Sequence, residues 1–184
     1  MVVVDSRSPR PSASRRKDDA GTTVRADRTF ETIRVSTADW PIVLIEFPEK
    51  RVADDALHGV LDYVESLLHE ASRSREKLFV ITDLTRMDEI TPASQRQYTG
   101  AWNKRTYALS RAAGLGGATV TPSAILRGII TAVFWIQPPA TPSFAVGTRD
   151  EAMLKGVEML DAAGALLPPR LMAYRDRVRN GGAE

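Results

Sequence analysis

The stretch KLFVITDLTRMDEITP, residues 77–92, decides the reading of the whole chain. Leu78, Phe79, Val80, Ile81 and Thr82 form a short apolar run that ends at Asp83. A run of that length, bounded by polar residues, predicts a buried strand. A polar loop follows, and Thr91-Pro92 opens a helix. Threonine suits the N-cap, and proline at the first helical position lacks an N–H that would be unpaired there anyway. Strand, loop, helix is the unit, and the rest of the chain repeats it.

Working upstream, residues 30–36 alternate, with Phe30, Thr32 and Arg34 on one side and Glu31, Ile33 and Val35 on the other. That pattern predicts a half-buried, edge-like strand. Residues 37–41 are a turn, and residues 42–45 are a continuous apolar run that predicts a strand covered on both faces. The connection is too short for a crossover, so the two strands form an antiparallel hairpin. Asp54-Asp55 then opens a helix, where carboxylates suit the positive end of the helix dipole. Leu57, Val60, Leu61, Val64, Leu67, Leu68 and Ala71 recur at helical spacing and predict its inward face, while His58, Asp62, Glu65 and His69 fall opposite.

Downstream, the second helix is expected to run to about residue 113, with Gly114 ending it. Its inward stripe reads as Tyr98, Ala101, Trp102, Arg105, Leu109 and Ala112. Gly116-Gly117 leads to a short strand at residues 118–121. The third helix, residues 123–136, is apolar nearly all round, with Arg127 its one charge. Residues 143–146 are the last strand and residues 149–163 a fourth helix, with Ala152, Met153, Val157 and Leu160 inward. After Pro168-Pro169, residues 170–179 make a helix that is marginal alone, and docking on the domain and fraying are both open. The order ββαβαβαβα predicts an α/β fold: a mixed, mainly parallel sheet of about five strands covered by four helices, with right-handed crossovers.

Composition sets the outer limits. With 184 residues, 43% of them hydrophobic, the chain is most simply one domain with a real core. Cysteine is absent, which excludes disulfides, thiolate zinc sites and thiol nucleophiles. Residues 1–28 carry +3 of the formal charge of +2, so the remainder is near neutral and has no electrostatic footprint for nucleic acid. Three parts are expected: a disordered basic tail at residues 1–28, a domain at residues 29–165, and a short C-terminal helix and tail at residues 166–184. The start of the chain does not read as a signal peptide, and no apolar run reaches the roughly 20 residues of a membrane span. A soluble, cytoplasmic protein with no integral membrane segment is the expectation.

Candidate chemistry is sparse. His58 with Asp62, and Glu65 with His69, are spaced to grip a metal, but they are separate pairs without a third ligand and read as a solvated helix face. Gly114-Leu115-Gly116-Gly117 follows a helix and precedes a strand, the reverse of a dinucleotide fingerprint. Asp83, Asp88 and Glu89 cluster where α/β sheets bind ligands, yet no histidine or nucleophile stands beside them, so no catalytic set is expected. Tyr98 and Trp102 near Arg96, Lys104 and Arg105 read as core aromatics with solvated cations rather than a nucleic-acid face. An all-round apolar third helix is either deeply buried or covers something, and ordinary burial is the expectation; exposure would turn Phe134 and Trp135 into an interface or apolar-ligand patch.

Several of these residues carry a family resemblance. Asp83-Leu84-Thr85 at the strand end, Ile90-Thr91-Pro92-Ala93 at the helix start, Thr121-Pro122-Ser123 before the apolar helix, Phe144-Ala145-Val146 and Asp150-Glu151-Ala152 together resemble the STAS domain superfamily, and within it the SpoIIAA-like branch. The resemblance covers most of the body and implies a mixed sheet covered by helices, in a bacterial, non-enzymatic regulatory or protein-interaction module without cofactors. In anti-sigma-factor antagonists of this family a serine at the corresponding helix start is phosphorylated. Here the usual Asp-Ser-Ser-Gly is replaced by Thr91-Pro92-Ala93-Ser94, so the resemblance implies a module lacking that serine. Asp83, Thr85, Asp88, Thr91 and Ser94 become its candidate contact residues, for a protein partner that includes a second copy of the chain. The branch is also similar in shape to CRAL-TRIO lipid-binding domains. That likeness implies a second expectation, a carrier or sensor of an apolar ligand held near Ile130, Phe134 and Trp135.

Overall fold

In the computed structural model the described residues are 25–47, 51–87 and 92–181. Among them, six strands form one sheet in the sequential order β1(Arg28–Phe30), β2(Ile33–Ser36), β3(Ile42–Glu46), β4(Leu78–Asp83), β5(Gly114–Val120), β6(Ser143–Val146). The first three pair antiparallel and the rest parallel, so the sheet is mixed as expected. Five helices accompany it: α1(Asp54–Ser74), α2(Ala93–Ala113), α3(Ala124–Ile136), α4(Arg149–Ala162) and α5(Pro169–Gly181).

Two features differ from the sequence reading, and a third is left open by it. Residues 30–36 are not one strand, because the chain turns at Glu31, whose φ is 52°, and β1 and β2 form their own hairpin. The turn drops Phe30 onto α1, where Gly59 leaves room for its ring and Tyr63 packs 5.9 Å away between centroids. Second, Gly114, Gly116 and Gly117 do not form a loop but are the first part of β5. A Cβ at Gly114 would meet the Ser110 carbonyl at 2.6 Å, and one at Gly116 the Pro142 carbonyl at 2.9 Å. Glycine here lets a strand start directly against the end of a helix. Third, residues 170–179 do not fray: α5 docks through Leu171, which is buried with the core that α4 covers.

Strand alternation divides the interior in two. Ile33, Val35, Val43, Ile45 and Leu78 face α1 and α2, while Ile42, Phe79, Ile81, Ala118 and Val120 face α4 and α5. All seven residues expected on the inward side of α1 are buried, and Tyr63 joins them. On α2 the buried set is Gln95, Trp102, Thr106 and Ala113, with Tyr98 and Leu109 partly covered. Ala101, Arg105 and Ala112, expected inward, are exposed instead. The helix is rotated from the expected stripe because α1, not the sheet alone, supplies most of its packing surface. Of the expected tail, Arg25 to Arg28 belong to the folded body: Arg25 pairs with Glu70 and Glu76, and the carboxylate of Asp27 accepts from the Thr37 N–H at 2.8 Å. Residues 1–24 lie outside the described residues.

The third helix departs furthest from expectation. No residue of α3 is buried. Ser123 caps it, accepting from the Leu126 N–H at 3.3 Å. Leu126, Ile130 and Phe134 are half-buried, while Ile125, Ile129, Val133 and Ile136 form an exposed stripe and Trp135 is 83% exposed. Ordinary burial fails for a geometric reason. The helix packs on β6, a four-residue edge strand, and α1 and α2 are already packed on each other. One short strand cannot cover an apolar surface that continues round the helix.

Candidate functional site

The helical face of the sheet loses bulk from left to right. Val43 and Ile45 on β3 give way to Leu78, Val80 and Thr82 on β4, then Gly117 and Thr119 on β5, then Ser143 on β6. A Cβ added at Gly117 would meet only the Val80 carbonyl within 4 Å, so no side chain from the helices reaches this floor. With α2 held to α1 and α3 held to β6, a hollow remains above β4 and β5. It is an apolar cavity of about 440 Å³, within the range of small-molecule sites.

Its walls combine apolar surface with a few polar groups. Leu61, Val64 and Leu68 of α1 and Trp102 of α2 line one side, and Phe134 of α3 with Pro139 and Ala140 line the other. Thr99, Asn103 and Ser110 recur along α2 and, with Thr82, Thr119, Thr141 and Ser143, add polar groups to a mainly apolar lining. At the mouth toward the carboxyl ends of the strands, Gln95 is nearly fully buried. Its amide donates to the Val52 carbonyl and to the Asp54 carboxylate, each at 2.7 Å, and so ties the start of α2 to the start of α1. Phe47, Leu84 and Met87 complete that rim.

Of the sequence-predicted contact residues that are described, Asp83 and Thr85 are brought together. Asp83 is buried rather than displayed in a loop. Its Oδ1 accepts from the Thr85 N–H at 2.9 Å and the Thr85 hydroxyl at 2.5 Å, and its Oδ2 accepts from Arg149 Nη2 at 2.6 Å. Burial opposes its ionisation, but the hydrogen bonds from Thr85 and the Arg149 guanidinium outweigh burial and hold its carboxyl below the ordinary value. Thr85 is exposed, and its hydroxyl is turned to Asp83. Ser94 is exposed in the first turn of α2. Asp88 and Thr91 lie outside the described residues. Of the apolar trio, Phe134 lines the cavity, Ile130 is half-buried on the neighbouring turn, and Trp135 points to solvent.

The i,i+4 pairs on α1 have other partners. His58 stacks on Tyr98 with ring centroids 3.6 Å apart, and the Glu65 carboxylate accepts from Trp102 Nε1 at 3.1 Å and Arg105 Nη2 at 2.7 Å. Among the described residues, no three histidine or carboxylate side chains are grouped to hold a metal ion. Nor is any described helix long and apolar enough to cross a membrane.

Sequence reasoning missed the floor of the cavity and Arg149. The three small residues on β5 and β6 come from separate strands, and only their register, Gly117 opposite Ser143, places them side by side. Arg149 lies 66 residues from Asp83. No family model matches the chain, and neither a curated protein nor a solved structure matches it significantly.

Proposed function

We propose that the protein binds an apolar small molecule between α2, α3 and the sheet. The observation that carries this reading is the cavity of about 440 Å³, floored by Gly117, Thr119 and Ser143 where an ordinary core would place branched side chains. A hollow of this size leaves apolar lining without packing partners, and an apolar occupant supplies those contacts. The hydroxyls of Thr99 and Ser110 and the Asn103 amide give an occupant a polar anchor, while the rest of its surface meets apolar walls. Native mass spectrometry of the purified full chain tests this. A co-purifying small-molecule mass, lost on mild organic extraction, is the expected result. Bare protein alone, with no uptake of an added apolar probe, contradicts it.

A second reading is supported by a different observation, the exposed stripe of Ile125, Ile129, Val133 and Ile136 on α3. Contiguous exposed apolar surface of this kind marks interaction sites. In this reading the chain is a STAS-like interaction module without the phosphorylatable serine, and α3 meets α3 of a second copy about a two-fold axis, as homodimers commonly do. Sedimentation equilibrium tests it: a dimer that Ile129→Asp converts to monomer supports the reading, and a monomer at high micromolar concentration overturns it.

A further inference from the structure

A second cleft lies at the carboxyl edge of the sheet, on the side away from the apolar cavity. It encloses about 580 Å³ and is lined by Arg34, Glu46, Asp83, Arg86, Thr148 and Arg149, among others. It opens between the ends of β3 and β4, whose chains lead on to α1 and α2 on one face, and the start of α4 on the other. Ligands of α/β proteins bind outside the carboxyl ends of the strands.

The charges in this crevice are unevenly matched. Arg149 Nη2 lies 2.6 Å from both Glu46 Oε1 and Asp83 Oδ2, so one guanidinium occupies the two carboxylates. Arg34 stands directly across the β2–β3 ladder from Glu46. Glu46 is nevertheless turned to Arg149, and Arg34 has no ion-pair partner among the described residues. Arg86, in the loop after β4, likewise has none among them. Both are exposed at the mouth of the cleft. The crevice thus presents two guanidinium forks that are unpaired among the described residues, beside a carboxylate pair already neutralised in part, with the Thr148 hydroxyl nearby. Arginine forks match the paired oxygens of phosphate and carboxylate groups.

We infer that this cleft is an oxyanion site, taking the phosphate or carboxylate of a small molecule between Arg34 and Arg86. It shares only Phe47 with the lining of the apolar cavity, and its occupancy does not depend on that reading. Arg149 and its two carboxylates act as the rigid base, and Arg34 and Arg86 hold the ligand from the mouth.

The test is an amide NMR titration of the full chain with phenyl phosphate and, separately, benzoate, each against sodium chloride at equal ionic strength. The inference expects saturable shifts at Thr85, Gly147 and Thr148 for at least one of the two anions. Chloride gives none. Whichever anion binds more tightly identifies the ligand class. Arg34→Gln with Arg86→Gln is expected to weaken binding at least tenfold while leaving uptake of a neutral apolar probe unchanged. Shifts that do not saturate, that chloride reproduces, or that survive the double substitution overturn it. Loss of probe uptake with intact anion binding contradicts the apolar-cavity reading instead.

Discussion

Arg149, the first residue of α4, forks onto Asp83, the last residue of β4, with Nε and Nη2 at 3.0 and 2.6 Å from the same carboxylate oxygen. The same Nη2 reaches Glu46 at the end of β3. One side chain therefore ties two parallel strands to the helix on their far face, across 103 residues of sequence at its widest. The start of that helix is fixed as well, since Thr148 accepts from the Glu151 N–H and Glu151 accepts from the Gly147 N–H.

That relationship makes stability depend on acid. The Asp83 carboxyl is held below its ordinary value in the fold, so its contribution is full above the unfolded value. It is lost as pH falls through the folded value. Glu76 acts in the same direction: burial opposes its ionisation, and hydrogen bonds from Ser74 and Trp40 together with Arg25 outweigh it. Urea midpoints are expected to hold from neutral pH down to about pH 5 and to fall below it, and Asp83→Asn flattens that fall. An equally steep fall in the variant contradicts this.

Replacing Arg149 by Met leaves Asp83 buried without its cation. The expected loss is about 1–3 kcal/mol, smaller than for a fully buried pair because Arg149 is itself half exposed. A double-mutant cycle with Asp83→Asn isolates the coupling, and additivity of the two losses contradicts a direct interaction.

Two kinds of helical glycine respond in opposite directions to alanine. At Gly156 a Cβ would meet Phe79 Cδ1 at 2.8 Å and Ile42 Cδ1 at 3.1 Å, so Gly156→Ala is expected to cost about 1–3 kcal/mol through overpacking. At Gly100 and Gly128 nothing lies within 4 Å, and alanine is expected to stabilise each by about 0.5–1 kcal/mol from backbone entropy. Chemical denaturation of the three variants decides both signs.

The last helix is part of the fold rather than an appendage. Leu171 is 1% exposed, and Tyr174 donates to the Asp150 carbonyl at 3.0 Å. Leu171→Ala is expected to cost about 2–5 kcal/mol. A loss below 0.5 kcal/mol, within the range of ordinary surface substitutions, shows that α5 is not docked in solution.

How much of this was legible follows from which interactions are local. The α1 face was read residue by residue, because Leu57 to Ala71 repeat at helical spacing and the helix buries that face. The alternating αβ order gave the mixed sheet for the same reason. The β1–β2 turn was hidden because Phe30 to Val35 alternate well enough for one strand, and only the packing of Phe30 on Gly59 decides for a hairpin. The glycines of β5 looked like a loop because their role is steric room for Ser110, Pro142 and Met159, which are distant in sequence or on other elements. Exposure of α3 was illegible in principle: its composition says apolar, and only the short edge strand β6 shows that nothing covers it. Asp83 was singled out, but its meaning changed once Arg149 appeared beside it.

The apolar cavity is the central claim, and its most direct measurement is fluorescence titration with N-phenyl-1-naphthylamine, a neutral apolar probe. The full chain is expected to bind one equivalent saturably. Thr119→Phe, which fills the floor between Gly117 and the helices, is expected to weaken binding at least tenfold while keeping a cooperative thermal transition. Absence of saturable binding by the unmodified chain, or binding that Thr119→Phe leaves unchanged, contradicts the claim.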